Sequence, residues 1–162
     1  SGNLLIPLLP GRIGPKRFKA VIDGLMRSGN AFFIEKNGRV LLMAEFKDYC
    51  FCVTHLSLTR EDSSASIDMI AALAAKCSKP FFIAGDFNLT PDSEPITRMK
   101  KYFILLSDPA QKTFPAGHPK ECIDYIWMYR GRKAEAFKMA ERRVIEEPAA
   151  SDHRPVKVTV RY

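Results

Sequence analysis

The apolar positions of this chain fall into short runs bounded by turn residues, with helical spacing in only a few stretches. Residues 1 to 14 mix leucines with Gly2, Pro7, Pro10, Gly11 and Gly14, which predicts an irregular lead-in. Pro15 suits the first turn of a helix, and Phe18, Val21, Ile22, Leu25 and Met26 keep helical spacing until Gly29. Ala31 to Glu35 and Arg39 to Phe46 read as strands joined by the two-residue hairpin signal Asn37-Gly38, and Tyr49 to Thr54 as a third strand delivering His55. Residues 63 to 77 predict a helix opened by Ser63 or Ser64 and buried through Ile67, Ile70, Leu73 and Ala74. The strand Pro80 to Ala84 follows, then a short helix from Asp92 or Ser93 with Pro95 early in it. Loop-like sequence from Ser107 to Cys122 precedes a strand over Ile123 to Tyr129, another within 135–147, and a last one over 155–161. Strands outnumber helices and neighbours are hairpin-linked, so the pattern predicts a mixed α/β (α+β) layered domain rather than a doubly wound parallel sheet.

Composition narrows the class. With 162 residues, 46% hydrophobic and 27% charged, the chain is expected to form a single globular domain over 1–162 with a sizeable core. Its longest apolar stretches are too short to cross a bilayer. Twenty-five Lys and Arg against eighteen Asp and Glu give +7 and a pI near 9.3, which favours anionic partners such as phosphates, nucleic acid or an anionic membrane surface. Cys50, Cys52, Cys77 and Cys122 lack zinc-finger spacing and read as small core thiols, Cys50 and Cys52 facing one side of a strand. Free thiols fit a reducing compartment such as the cytoplasm. The chain opens with Ser1 rather than Met, so the lack of a signal peptide carries no weight.

The candidate chemistry sits where apolar runs stop. Phe81 to Ala84 leads into Gly85-Asp86-Phe87-Asn88, and residues two apart on a strand share a face, so Asp86 and Asn88 are expected to aim at one point. The competing reading is a turn in which the two cap local backbone. Asp152-His153 stands before the alternation Val156, Val158, Val160, and Asp124 interrupts the apolar run Ile123 to Ile126. Asp124 is expected to fix the tautomer of His153 and raise its basicity, making His153 a general base for water. A buried ion pair is the alternative for Asp124. Asp86, Asn88 and Asp152 offer oxygens to a hard divalent cation. His55 is placed to donate to a phosphoryl oxygen, or else is a satisfied histidine at the sheet edge. Arg39 and Arg154 are further phosphate-clamp candidates, and His118 reads as exposed.

Taken in order, Thr54-His-Leu56, Gly85-Asp-Phe-Asn88 with Thr90-Pro-Asp-Ser93, Thr113-Phe-Pro115, Ile123-Asp-Tyr-Ile126 and Ser151-Asp-His-Arg-Pro155 closely resemble the endonuclease/exonuclease/phosphatase family. The resemblance implies a DNase I-like four-layer sandwich of two mixed β-sheets flanked by helices. It also implies a Mg²⁺ or Mn²⁺ cofactor and in-line attack of water on a phosphate ester of a nucleic acid, phospholipid head group or sugar phosphate. It gives Asp86 and Asn88 the phosphate, nucleophile and metal, Asp152 the metal shell, Asp124 with His153 the orienting dyad, and His55 the transition state. Family members begin with a strand bearing an Asn and a second ending in a metal-binding Glu. Neither is expected before residue 15 here, so the chain resembles the carboxy-terminal two thirds of the domain, and without that Glu both metal affinity and turnover are expected to fall severely, to the point of inactivity in the chain alone. The uncovered sheet edge this implies predicts self-association. The rival expectation is a non-catalytic basic module that binds nucleic acid or anionic membrane.

Overall fold

A computed structural model describes residues 3–7, 31–36, 39–131 and 134–161. In chain order they form β1 (Asn3–Pro7), β2 (Ala31–Lys36), β3 (Arg39–Glu45), β4 (Cys50–His55), α1 (Arg60–Lys76), β5 (Phe81–Asp86), α2 (Glu94–Met99), β6 (Phe103–Leu105), β7 (Asp124–Tyr129), a 3-10 turn (Ala134–Ala136), β8 (Lys138–Val144) and β9 (Val156–Arg161). The helix expected from Pro15 and the Asn37-Gly38 turn lie outside the described residues. Lys36 nevertheless pairs with Arg39, the register a two-residue hairpin requires.

Six strands make one sheet in the order β2-β3-β4-β5-β7-β6, and three make another in the order β1-β9-β8. The larger sheet is mixed: β4 and β5 run parallel because α1 crosses between them, and its other pairs are antiparallel. The expectation of two mixed sheets holds for this one, whereas the three described strands of the smaller sheet are all antiparallel.

Alternation along the central strands builds two cores. Phe81 and Ile83 face the helices, joining Ile67, Ile70 and Ala74 of α1, Ile96 and Met99 of α2, and Tyr125 and Trp127 of β7. Phe82 and Ala84 face the other way and meet Ile126 and Met128, with Val156, Val158 and Val160 of β9 closing the space between the sheets. A helical layer, a mixed sheet and a second sheet therefore stack in that order.

Two local expectations needed correction. Residues 3–7, read as irregular, form β1, held by pairing along β9 with Pro7 at the end of an edge strand, where its missing N–H costs little. Helix α1 starts three residues before the expected Ser63: Thr59 takes the N-cap position and donates to Asp62 at 2.7 Å, with Glu61 and Asp62 in the first turn, while Ser63 is buried and donates to the Ser57 carbonyl. The outer edge β8 is exposed and carries Lys138, Glu141, Arg142 and Arg143, charges that oppose strand addition there. No helix among the described residues is long and apolar enough to cross a membrane.

Candidate active site

The face that looks toward the second sheet ends in polar residues on three adjacent strands. Along β4 the positions are Phe51, Val53, His55; along β5, Phe82, Ala84, Asp86; along β7, read backwards, Met128, Ile126, Asp124. Register sets His55 beside Asp86 and Asp86 opposite Asp124. His153, three residues before β9, descends on this row from the smaller sheet. The inter-sheet core thus runs out, at one end, into an acid–histidine cluster.

Ligand atoms of Asp86, Asp124 and His153 lie within 4.8 Å of one another. Asp124 is 2% exposed, and its Oδ2 lies 2.8 Å from His153 Nδ1. With Nδ1 bound there, Nε2 faces Asp86 Oδ2 at 3.8 Å. His55 approaches the same oxygen from outside, its Nε2 3.4 Å away and its side chain 56% exposed. The Phe114 ring packs on the His153 imidazole with centroids 4.7 Å apart, and the His153 N–H donates to Ser151 Oγ. The imidazole is therefore held from its backbone, its face and one nitrogen.

Electrostatics follow from crowding two carboxylates. Burial pushes the Asp86 carboxyl above its usual range and the Asp124 charge adds to that, opposed by the Asn88 N–H and the two histidines. The hydrogen bond to Asp124 holds the His153 imidazole above its usual value against the effect of burial, and the charges of Asp124, Asp86 and Asp152 reinforce it. A cation would relieve the first of these costs, so the donor set suits a hard divalent ion in charge and in its oxygen content. Among the described residues no glutamate joins the group.

The remaining sequence candidates are distributed differently. Strand β5 ends at Asp86, and Asn88 lies beyond it with φ 52°, so the two do not share a strand face as the spacing suggested. They form the turn given as the alternative: the Asn88 N–H donates to Asp86 Oδ1 at 2.8 Å, and Asn88 Nδ2 donates to the Leu56 carbonyl at 2.9 Å, tying the β5 turn to the exit of β4. Asp152 is exposed, its Oδ1 accepting from Ser151, and stands outside the three-residue group. Arg154 Nε donates to the Ala116 carbonyl and the guanidinium reaches Glu146 at 3.6 Å, so it braces a loop. His118 is exposed, and the side chain of Arg39 lies outside the described residues. Two supports were not anticipated: Phe114 against His153, and the Tyr125 hydroxyl, 2.7 Å from both the Leu89 and Cys122 carbonyls. Tyr125 sits next to Asp124 with Phe87 edge-on to its ring, a helix-facing aromatic whose polar tip signals a bracing role.

Comparison with solved structures decides the fold. A humanized TDP2 from D. rerio superposes with a TM-score of 0.69 at 14% identity over 98% of this chain and 85% of that one. The chain has the endonuclease/exonuclease/phosphatase fold. A protein titled endonuclease/exonuclease/phosphatase from Bacteroides vulgatus shares this fold (TM-score 0.64, 19% identity, 82% of this chain, 64% of that one). So does a mannosyl-6-phosphatase from Bacteroides thetaiotaomicron (TM-score 0.64, 17% identity, 76% and 57%). The chain spans less than two thirds of the length of the two Bacteroides proteins. The family model DUF6441, described as a family of unknown function, matches residues 1–49, which end before His55, Asp86, Asn88, Asp124, Asp152 and His153. No curated protein matches the sequence.

Proposed function

We propose that this chain belongs to the endonuclease/exonuclease/phosphatase family and carries a centre for hydrolysis of phosphate esters by in-line attack of water, with Mg²⁺ or Mn²⁺. The observation that carries the reading is the convergence of Asp86 at the end of β5, Asp124 at the start of β7 and His153 just before β9, with the Asp124–His153 bond already made. Asp124 accepts a hydrogen bond from Nδ1–H of His153 and so fixes the tautomer whose Nε2 is free to accept a proton from water. Asp86 supplies the carboxylate to the cation, with the exposed Asp152 and the Asn88 side chain at hand on neighbouring loops. Bound there, a divalent cation supplies Lewis-acid stabilisation of charge on the phosphoryl oxygens. His55, half open to solvent beside Asp86, donates to the same oxygens as charge builds. The titles of the fold neighbours support phosphoryl chemistry: one is a mannosyl-6-phosphatase, and one TDP2 structure holds a single-strand DNA product.

The test is a titration with Mg²⁺ and Mn²⁺ while hydrolysis of p-nitrophenyl phosphate, bis-p-nitrophenyl phosphate and a nicked DNA is followed. Metal-dependent turnover is expected, reduced roughly 10²–10⁴-fold in His153→Ala and Asp86→Ala. Relative rates on the monoester and the diester assign the substrate class. Salt-sensitive DNA binding that persists in both variants, with no turnover in any, supports a basic binding module instead.

A further inference from the structure

At the other end of β4 from His55, the Cys50 and Cys77 sulfurs lie 2.8 Å apart. Cys50 opens β4 in the core and is 1% exposed, whereas Cys77 caps the C-terminus of α1 in an extended conformation and is partly open to solvent. We propose that Cys50 and Cys77 are a modification site, a dithiol that closes reversibly to a disulfide by exchange with a low-molecular-weight disulfide such as glutathione disulfide.

The sulfurs need to approach by only about 0.8 Å to reach the bonded separation of about 2.05 Å. Cys77 sits on a helix end whose last N–H is already bonded back to Ala74, so a small shift of its side chain leaves α1 intact. Chemistry assigns the order of events. Burial, and then the contact with Cys77, push the Cys50 thiol up to about 12, so the partly exposed Cys77 is the entry point. Its sulfur, giving up its proton, attacks glutathione disulfide, breaks that S–S bond and releases one glutathione thiol. The Cys50 sulfur then attacks Cys77 in the mixed disulfide, expels the second glutathione thiol and passes its proton to it. Two protein thiols are oxidised by two electrons, and glutathione disulfide is reduced to two thiols. Lys79, its Nζ 2.7 Å from Glu45 and bonded to the Phe46 carbonyl, favours a thiolate at Cys50 less than Glu45 opposes one, so the pair leaves Cys50 protonated until Cys77 has reacted. Cys52 and Cys122, buried elsewhere in the helix-facing core, serve as internal controls.

The bond would tie the start of β4 to the end of α1, closing the β4–α1 unit that carries His55 at its far end. The proposal stands apart from the phosphoesterase reading. The experiment equilibrates the 162-residue chain in buffers running from reduced to fully oxidised glutathione, followed by intact mass, thiol titration after denaturation, and peptide mapping. Expected are loss of two hydrogens, a fall from four titratable thiols to two, a cross-link between peptides holding residues 50 and 77, and reversal by dithiothreitol. The melting temperature should rise by roughly 5–10 °C on oxidation. Cys77→Ser, a change at a partly exposed helix end, should fold and keep three thiols throughout. Four thiols persisting in the folded chain under fully oxidised glutathione would overturn the proposal. A stable glutathione adduct on Cys77, or a cross-link to Cys52 or Cys122, would overturn it equally.

Discussion

At the residue scale the site is a problem of charge placed in a confined space. Asp86 and Asp124 face one another across β5 and β7, and Asp124 answers its burial by bonding His153. Asp124→Asn keeps the shape but offers Nδ1 of the imidazole an amide rather than a carboxylate. The expected result is a fall in kcat of roughly 10²–10⁴-fold. Because the carboxylate is the main cause of the raised His153 value, the acid limb of the pH–rate profile should lie above pH 6.5 in the parent and move lower in the variant. A profile whose acid limb stays in place would remove His153 as the base. Asp86, Asp124, His153 and His55, which the structure brings together, were legible as candidates from their positions at the ends of apolar runs. The placement of Asn88 on one strand face with Asp86 did not hold because its spacing assumed an extended chain, and the turn that follows Asp86 puts it in the left-handed region instead.

At the element scale β4 and β5 must approach closely for His55 to reach Asp86, and Gly85 allows it. A Cβ there would stand 1.9 Å from the Thr54 carbonyl oxygen, a backbone atom that cannot swing aside. Gly85→Ala should cost about 3 kcal/mol or more in urea unfolding and separate the two strand ends, lowering turnover as well. Tyr125→Phe is milder. It strips the hydroxyl shared by the Leu89 and Cys122 carbonyls, leaving a buried acceptor unpaired at about 1–3 kcal/mol by denaturant titration. The strands around these positions were readable because β-branched and aromatic runs end at Gly, Pro and Asn. Strand β1 and the three-residue β6 were not, since both are defined by pairing with β9 and β7 respectively rather than by their own residues.

For the whole molecule the cluster makes stability depend on pH. Folding raises the proton affinity of both His153 and Asp86, so the folded state holds protons more tightly than the unfolded chain. For each group the resulting contribution is complete below the unfolded value and is lost as pH rises through the folded one. For His153 that window opens near pH 6.5, and for Asp86 near 3.9. The urea midpoint of metal-free protein is therefore expected to fall as pH climbs above 6.5, to fall less in Asp124→Asn, and to recover on adding Mg²⁺. A midpoint that rises over this range would reverse the sign and sink the assignment.

Periodicity and residue type alone determined the layered α/β class, most strand and helix positions, and the acids and histidines able to do chemistry, because these depend on local spacing along the chain. Tertiary structure alone decided that β4, β5 and β7 lie side by side, that the second sheet brings His153 onto their polar row, and that Arg154 is taken up by the Ala116 carbonyl and Glu146. Those outcomes rest on strand pairing and sheet packing between residues far apart in sequence, and no local pattern records which distant partner a strand will choose.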